Sequence, residues 1–129
     1  MPLSSDDAFA LSKAFRDLSV AVGDCRMARW ASLTPDDRRA LEDEEWSLLN
    51  ASSEMVTKAV GLVLDETVAS VKKIQAATVE AHGAVKRLND VRKVIDVAAA
   101  AVGLAAAVVS KDPGAIAKNI KSVFDAATA

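Results

Sequence analysis

The feature that most constrains this chain is an apolar helical face that runs from residue 46 to residue 109 with no proline in it. Apolar residues three and four positions apart lie on one side of an α-helix, whereas a strand needs strict alternation. The face consists of Trp46, Leu49, Val56, Val60, Val63 or Leu64, Val71, Ile74, Ala81, Val85, Leu88, Ile95, Ala99, Val102, Ala106 and Val109. A continuous helix over it would measure roughly 95 Å at about 1.5 Å per residue. The pattern predicts an all-α, elongated helical bundle with one long central helix.

A first helix is predicted over residues 5–31. Ser4 or Ser5 can cap its free N–H groups, and Asp6 and Asp7 suit the positive end of the helix dipole. Its apolar residues follow at steps of three and four, which predicts coiled-coil-like packing. They are Ala8, Leu11, Phe15, Leu18, Val22 and Cys25.

The start of the second helix is marked by Thr34, a good N-cap, followed by a proline and two acidic residues. We expect this helix over residues 35–50. The polar stretch that ends at Ser53 is a candidate break, after which the long helix runs over residues 53–109. Without that break, residues 35–109 form one continuous helix.

A glycine inside the long face, Gly83, is not expected to end the helix. The apolar spacing keeps its phase from Ile74 through Leu88, and a loop would have no reason to preserve it. We therefore expect at most a bend at Gly83.

The segment 97–109 carries no polar or charged side chain on any side. A helix that is apolar all round must be buried in protein or in lipid, and this one is shorter than the roughly 20 residues that span a bilayer. Asp112 and Pro113 then start a last helix over residues 113–127, which predicts a C-terminal helical hairpin. Small residues at four-residue spacing permit close helix contact. The residues expected to meet the other helix of the hairpin, a partner or a membrane are Ala99, Gly103, Ala107, Ile116, Ile120 and Phe124.

The charge of the chain is unevenly distributed. Residues 1–66 hold 7 basic and 13 acidic side chains, a net of −6, and residues 67–129 hold 9 basic and 5 acidic, a net of +4. Either the two halves pack with complementary fields, or the basic half meets an anionic surface such as lipid. The sequence argues against nucleic-acid binding, because the chain lacks a basic patch with interleaved aromatic residues and its net charge is −2.

Motifs that carry chemistry are missing from the sequence. One histidine and one cysteine exclude His-rich and Cys-rich metal sites. A pair of Cys25 with His82 is conceivable, but Cys25 lies on the apolar seam of the first helix, where an inert buried thiol is expected. The acidic run 42–45 cannot converge on one ion, because consecutive helical residues point in different directions. We predict no catalytic residue, no cofactor and no metal, and therefore a non-enzymatic protein.

The N-terminal sequence has neither a basic nor a hydrophobic signal region, so a cytoplasmic location is expected, with secretion by a signal-independent route left open. A chain of 129 residues suits a single all-helical domain over residues 1–129.

Two functions follow from these patterns. The first is helix–helix association, as a self-assembling element or as an adaptor for another protein. It rests on a long apolar face that the other helices are too short to cover, which predicts a homo-oligomer or a helical partner. The alternative is a membrane-inserting or lipid-binding protein, such as a pore-forming component, that acts on anionic membranes through the apolar hairpin 94–127.

Overall fold

Five α-helices build the protein in the computed structural model, which describes residues 2–64 and 70–129. The helices are α1 (Ser5–Ala28), α2 (Pro35–Lys58), α3 (Val71–Arg87), α4 (Val91–Val109) and α5 (Pro113–Thr128), with a single 3-10 turn at Trp30–Ser32. The prediction of an all-α, bundle-like fold is confirmed. The first helix is three residues shorter than the predicted range 5–31, because the chain tightens into the 3-10 turn.

Each helix begins with a side chain that accepts a hydrogen bond from a free backbone N–H group of the first turn. The capping residues are Ser4, Thr34, Ser70, Asp90 and Asp112. The caps expected at Ser4, Thr34 and Asp112 are therefore confirmed.

The long central helix over residues 53–109 is a wrong prediction, and so is a continuous helix over residues 35–109. α2 passes through Ser53 without a break and ends at Lys58, so its predicted end at residue 50 is wrong as well. The chain then turns at Gly61, whose φ of +85° favours a residue without a side chain. The predicted helical stretch 65–69 lies outside the described residues.

The second interruption separates α3 from α4 at Leu88, Asn89 and Asp90. Leu88 is extended, and the Asp90 carboxylate accepts the N–H of Arg92 to start α4. The Arg29 guanidinium donates to the carbonyl oxygens of Leu88 and Asn89, which satisfies groups that a continuing helix would have bonded itself. Gly83 lies inside α3, as predicted.

The helices fold back on one another around one core. α2 packs between α1 and α4, α3 packs against α1, α4 and α5, and α5 also lies along α4. All six seam residues predicted for α1 are buried. The largest completely buried side chains are Phe15, Leu11, Leu18, Leu41, Leu48, Met55, Ile74, Leu104 and Ile116.

The apolar face from residue 46 to residue 109 folds back on itself, so the argument that the other helices are too short to cover it no longer holds. Its second half divides between α3, which buries Ile74 and Val85, and α4, whose buried residues are offset by one position from those of the predicted face. Three members of its first half, Trp46, Val56 and Val63, are exposed instead. An oligomer can therefore no longer be argued from helix length.

Candidate interaction surface

The apolar hairpin that the sequence singled out is assembled as expected, but most of it faces the core. α4 and α5 are joined by the turn at residues 110–112 and pack along each other. At Gly103 the two helices approach so closely that a Cβ atom would lie 2.6 Å from Asn119 Oδ1. The glycine at position 103 thus permits the close helix contact that the spacing of small residues predicts.

The six predicted interaction residues do not form one surface. Ala107, Ile116 and Ile120 are buried, and Gly103 lies half-buried against α5. Ala99 and Phe124 are exposed, Phe124 by 36%.

The all-round apolar segment of α4 packs against three neighbours, α2, α3 and α5, and leaves only its small residues Ala99 and Ala106 exposed. Within the part of the chain that the structure describes, no helix combines the length and the hydropathy needed to cross a membrane.

Large apolar side chains are exposed mainly on α1, on α2 and in the turn between them. Phe9 is 60% exposed and Trp46 is 56% exposed. Val20, Met27, Trp30 and Val56, which are also exposed, lie on α1, the 3-10 turn and α2 as well. By contrast, α4, every residue of which is described, exposes no large apolar side chain.

Polar contacts hold α1 and α2 together beneath these side chains. Ser12 Oγ donates to the carbonyl oxygen of Ser52 at 2.6 Å, and Ser19 Oγ donates to that of Glu45 at 2.8 Å. The Arg26 guanidinium forms an ion pair with Glu45 Oε2 at 3.0 Å. From the first contact to the second, the residue number rises from 12 to 19 on α1 and falls from 52 to 45 on α2, so the two helices are antiparallel.

A groove of about 370 Å³ runs between the two helices, lined by Phe9, Ser12, Lys13, Arg16, Ser52, Ser53, Val56 and Thr57. Its four hydroxyl groups all donate to helix carbonyl oxygens. Lys13 and Arg16 form no hydrogen bond or ion pair with any described residue. The groove therefore combines apolar walls and an already bonded polar floor with two unpaired cations.

Two further exposed side chains continue the groove along the same sides of the helices. Val20 lies four residues after Arg16 on α1, and Trp46 lies seven residues before Ser53 on α2. Both follow residues of the Ser19–Glu45 contact, so they flank the same level of the helix pair. We call the surface formed by Phe9, Lys13, Arg16, Val20, Trp46 and Val56 the α1–α2 face.

The turn after α1 is fixed by an aromatic contact. The Arg38 guanidinium lies 4.2 Å from the centre of the Trp30 ring and donates to the Trp30 carbonyl oxygen. A cation held over an indole ring is stabilised by the ring quadrupole. The contact ties the start of α2 to the end of α1 and so defines one end of the helix pair.

The acidic run on α2 divides between different sides of the helix, as its spacing predicted. Glu45 turns to Arg26 on α1, whereas Glu44 turns toward α4. Glu44 Oε2 is buried without a hydrogen-bond partner among the described residues. Burial, with the nearby negative charges of Asp96 and Asp43, raises the pKa of Glu44 to about 8.

The described residues do not form a metal site or a thiol–imidazole pair. Among residues 2–64 and 70–129, no group of three or more His, Cys, Asp or Glu side chains is placed to hold a metal ion. Cys25 is a buried free thiol, as expected from its place on the seam. Cys25 and His82 line different grooves between α1 and α3, so the structure does not bring them together as a pair.

Sequence reasoning missed the α1–α2 face, although a signal was present. Phe9, Val20 and Met27 fall outside the seam of α1 yet share one stripe of that helix with Lys13 and Arg16. Large apolar residues out of phase with a complete seam have no place in the core.

Comparisons with protein-family models, with curated proteins and with solved structures found no match to this chain.

Proposed function

We propose that this protein is a non-enzymatic helical bundle that works by helix–helix association through the α1–α2 face. The observation that carries the proposal is the exposure of Phe9, which lines a groove between two firmly joined helices, and of Trp46, which follows the Ser19–Glu45 contact of the same helix pair. Exposed large apolar side chains grouped on one face are typical of a protein interaction site. The associating helix belongs to a second copy of the chain or to another protein.

The construction of the helix pair supports this proposal. The hydrogen bonds of Ser12 and Ser19 fix α1 against α2 without help from the exposed side chains. A docking surface on such a pair is already ordered before a partner arrives, which lowers the entropic cost of binding. The buried free thiol of Cys25 fits a reducing compartment such as the cytoplasm, where we place this function.

The proposal is tested by placing a photo-crosslinking amino acid at Phe9 or Trp46 in the cells that make the protein. We expect a discrete crosslinked product from both positions, identified by mass spectrometry. The matched control is Val79, which is 71% exposed on α3 and lies outside the α1–α2 face. Products that are absent from Phe9 and Trp46, or equal at all three positions, would contradict the proposal.

Sedimentation velocity at micromolar concentration then identifies the partner class. A dimer that dissociates in the Phe9→Ser variant assigns the face to self-association, and a monomer assigns it to another protein.

The membrane alternative retains one supporting observation. The large apolar side chains of α4 are covered by α2, α3 and α5, as those of a hairpin that inserts only on contact with lipid would have to be. Dye release from anionic vesicles, expected for this alternative, should be abolished by a disulfide that ties α4 to α2. Vesicles that neither bind the protein nor leak at low salt would exclude it.

A further inference from the structure

The chemistry of the α1–α2 face specifies which helix it accepts. We propose that the face binds an acidic amphipathic helix of another protein, whose apolar side chains meet Phe9, Val56, Val20 and Trp46 and whose carboxylates pair with Lys13 and Arg16. This inference rests on the proposed function and adds the charge, the spacing and the source of the partner.

The negative charge of the bound helix is inferred from the groups of the groove that still lack a partner. The hydroxyl groups of the floor are bonded to helix carbonyl oxygens, so they offer no free donor to an incoming polar chain. Lys13 and Arg16 are the cations of the groove, and neither is paired within the described residues. The nearest acidic residues on each helix line other grooves, with Asp17 facing α3 and Glu54 facing α4. Two carboxylates are therefore the complement that the groove requires.

The spacing follows from the positions along α1. Relative to Phe9, the residues Lys13, Arg16 and Val20 lie about 6, 10 and 16 Å along the helix axis, at about 1.5 Å per residue. A helix lying along the groove matches them with an apolar residue, an acidic residue four positions later, a second acidic residue three later, and an apolar residue four later. Since the steps of four, three and four read the same from both ends, the pattern serves a parallel or an antiparallel helix.

A second copy of this chain cannot supply that pattern. The only acidic residues of the sequence that are three positions apart are Glu42 and Glu45, and the residue four positions before Glu42 is Arg38. Glu45 is moreover occupied by its ion pair with Arg26. The helix must come from a different protein.

An anionic membrane is also a poor complement for this surface. Residues 5–58 carry 7 basic and 11 acidic side chains, a net of −4, and a flat bilayer would meet that field over a wide area. A single helix in the groove meets Lys13 and Arg16 at short range, where the local charge is positive.

The test is a selection of displayed helical peptides of about 18 residues against the full-length protein, with randomised positions that cover the groove. We expect enrichment of peptides with the apolar and acidic spacing above. The best peptide, labelled with fluorescein, should bind the Lys13→Glu/Arg16→Glu variant at least about 10-fold more weakly than the wild type, and more weakly as NaCl rises from about 0.05 to 0.5 M.

The matched control is the Lys72→Glu/Lys118→Glu variant, which changes the net charge equally at exposed positions on α3 and α5. We expect it to bind the peptide within about 2-fold of the wild type, since distant exposed charges are screened. Equal thermal melting of the two variants would show that both are folded.

Two results would overturn the inference in different ways. Enriched peptides that lack acidic residues but lose binding in the Phe9→Ser variant would refute the charge assignment and leave the proposed function standing. Enrichment that is unaffected by Phe9→Ser and by the charge reversal would refute docking of helices at this face. If crosslinking from Phe9 and Trp46 also gave no product, the proposed function would fail with it.

Discussion

The α4–α5 hairpin and the α1–α2 pair solve the problem of helix packing in opposite ways. The hairpin is rich in alanine and valine, brings its helices together at Gly103 and turns nearly all of its larger apolar side chains inward. The α1–α2 pair is richer in charge, is joined by side-chain hydrogen bonds to backbone carbonyl groups, and leaves Phe9, Val20 and Trp46 outside. Apolar composition thus locates the core of this protein, whereas its candidate interaction surface lies in the more polar pair.

The difference has a physical origin in side-chain size. Small residues let two helix backbones approach, so the hairpin contact depends on shape and tolerates little change. Ser12 and Ser19 join α1 to α2 by hydrogen bonds to backbone carbonyl oxygens, and Phe9 and Val56 line a groove beside that contact instead of entering the core. The comparison can be tested from both sides by substitution.

The largest effect is expected in the hairpin, at its closest contact. In Gly103→Leu the new side chain would meet the Asn119 carboxamide, which is held by its hydrogen bond to the Ala115 carbonyl oxygen at 2.7 Å. We expect the free energy of unfolding to fall by about 3 kcal/mol, measured by urea denaturation. Ala99→Leu on the same helix is the control, because Ala99 is exposed, and should change it by less than about 0.5 kcal/mol. Equal effects at the two positions would mean that α5 does not pack at Gly103.

The second effect concerns Glu44 at the contact between the two regions. Because burial raises its pKa from 4.5 to about 8, the folded protein keeps a proton on this carboxyl at pH values where the unfolded chain has lost it. The free energy of unfolding should therefore fall as pH rises through this interval and level off above it.

Glu44→Gln removes the titration and should flatten that slope. At pH about 9 we expect the variant to be more stable than the wild type by about 1 kcal/mol, a value reduced by solvent screening of a partly exposed group. Asp96→Asn should shift the slope to lower pH, because it removes one of the charges that raise the pKa of Glu44. Denaturation series over pH measure both, and an unchanged slope in Glu44→Gln would assign the titration elsewhere.

The caps at Ser4, Thr34 and Asp112 and the seam of α1 were predictable because they depend on neighbouring residues alone, whereas the caps at Ser70 and Asp90 were not expected. The breaks after Lys58 and Arg87 were not expected either. Gly61 was not counted as a stop signal, although it adopts a φ of +85° in the turn that follows the end of α2 at Lys58. At Leu88–Asp90 the apolar spacing continues in the sequence across the break, but the structure does not keep its phase, because α4 buries Val94, Ala98 and Ala101 in place of Ile95, Ala99 and Val102. Continuous spacing therefore did not prove a continuous helix.

The α1–α2 face could be predicted only in part. The stripe of Phe9, Lys13, Arg16 and Val20 is readable from the spacing on α1 alone. Its partners on α2, Trp46 and Val56, were assigned to the apolar face of a long helix, and only the tertiary arrangement places them beside α1. Long-range pairing of this kind is not encoded in the period of either helix.

A smaller effect is expected when a bridge of the α1–α2 pair is removed. Ser19→Ala deletes the buried hydrogen bond to the Glu45 carbonyl oxygen and should lower the free energy of unfolding by about 1 kcal/mol. Ser122→Ala is the matched control, because the Ser122 hydroxyl bonds within its own helix to the Lys118 carbonyl oxygen. Thermal melts that move equally for both variants would argue against a role of Ser19 in joining the helices.

The smallest effect should come from the α1–α2 face itself. Phe9→Ser and Trp46→Ser remove large apolar side chains, yet these are mostly in water already, so little burial is lost. We expect the free energy of unfolding, measured by urea denaturation, to change by less than about 0.5 kcal/mol in each variant. A loss of about 2 kcal/mol or more would mean that Phe9 and Trp46 stabilise the bundle, and their exposure would then no longer argue for a partner. Unchanged stability combined with lost crosslinking or peptide binding would show that the α1–α2 face serves binding, whereas the α4–α5 hairpin serves the stability of the fold.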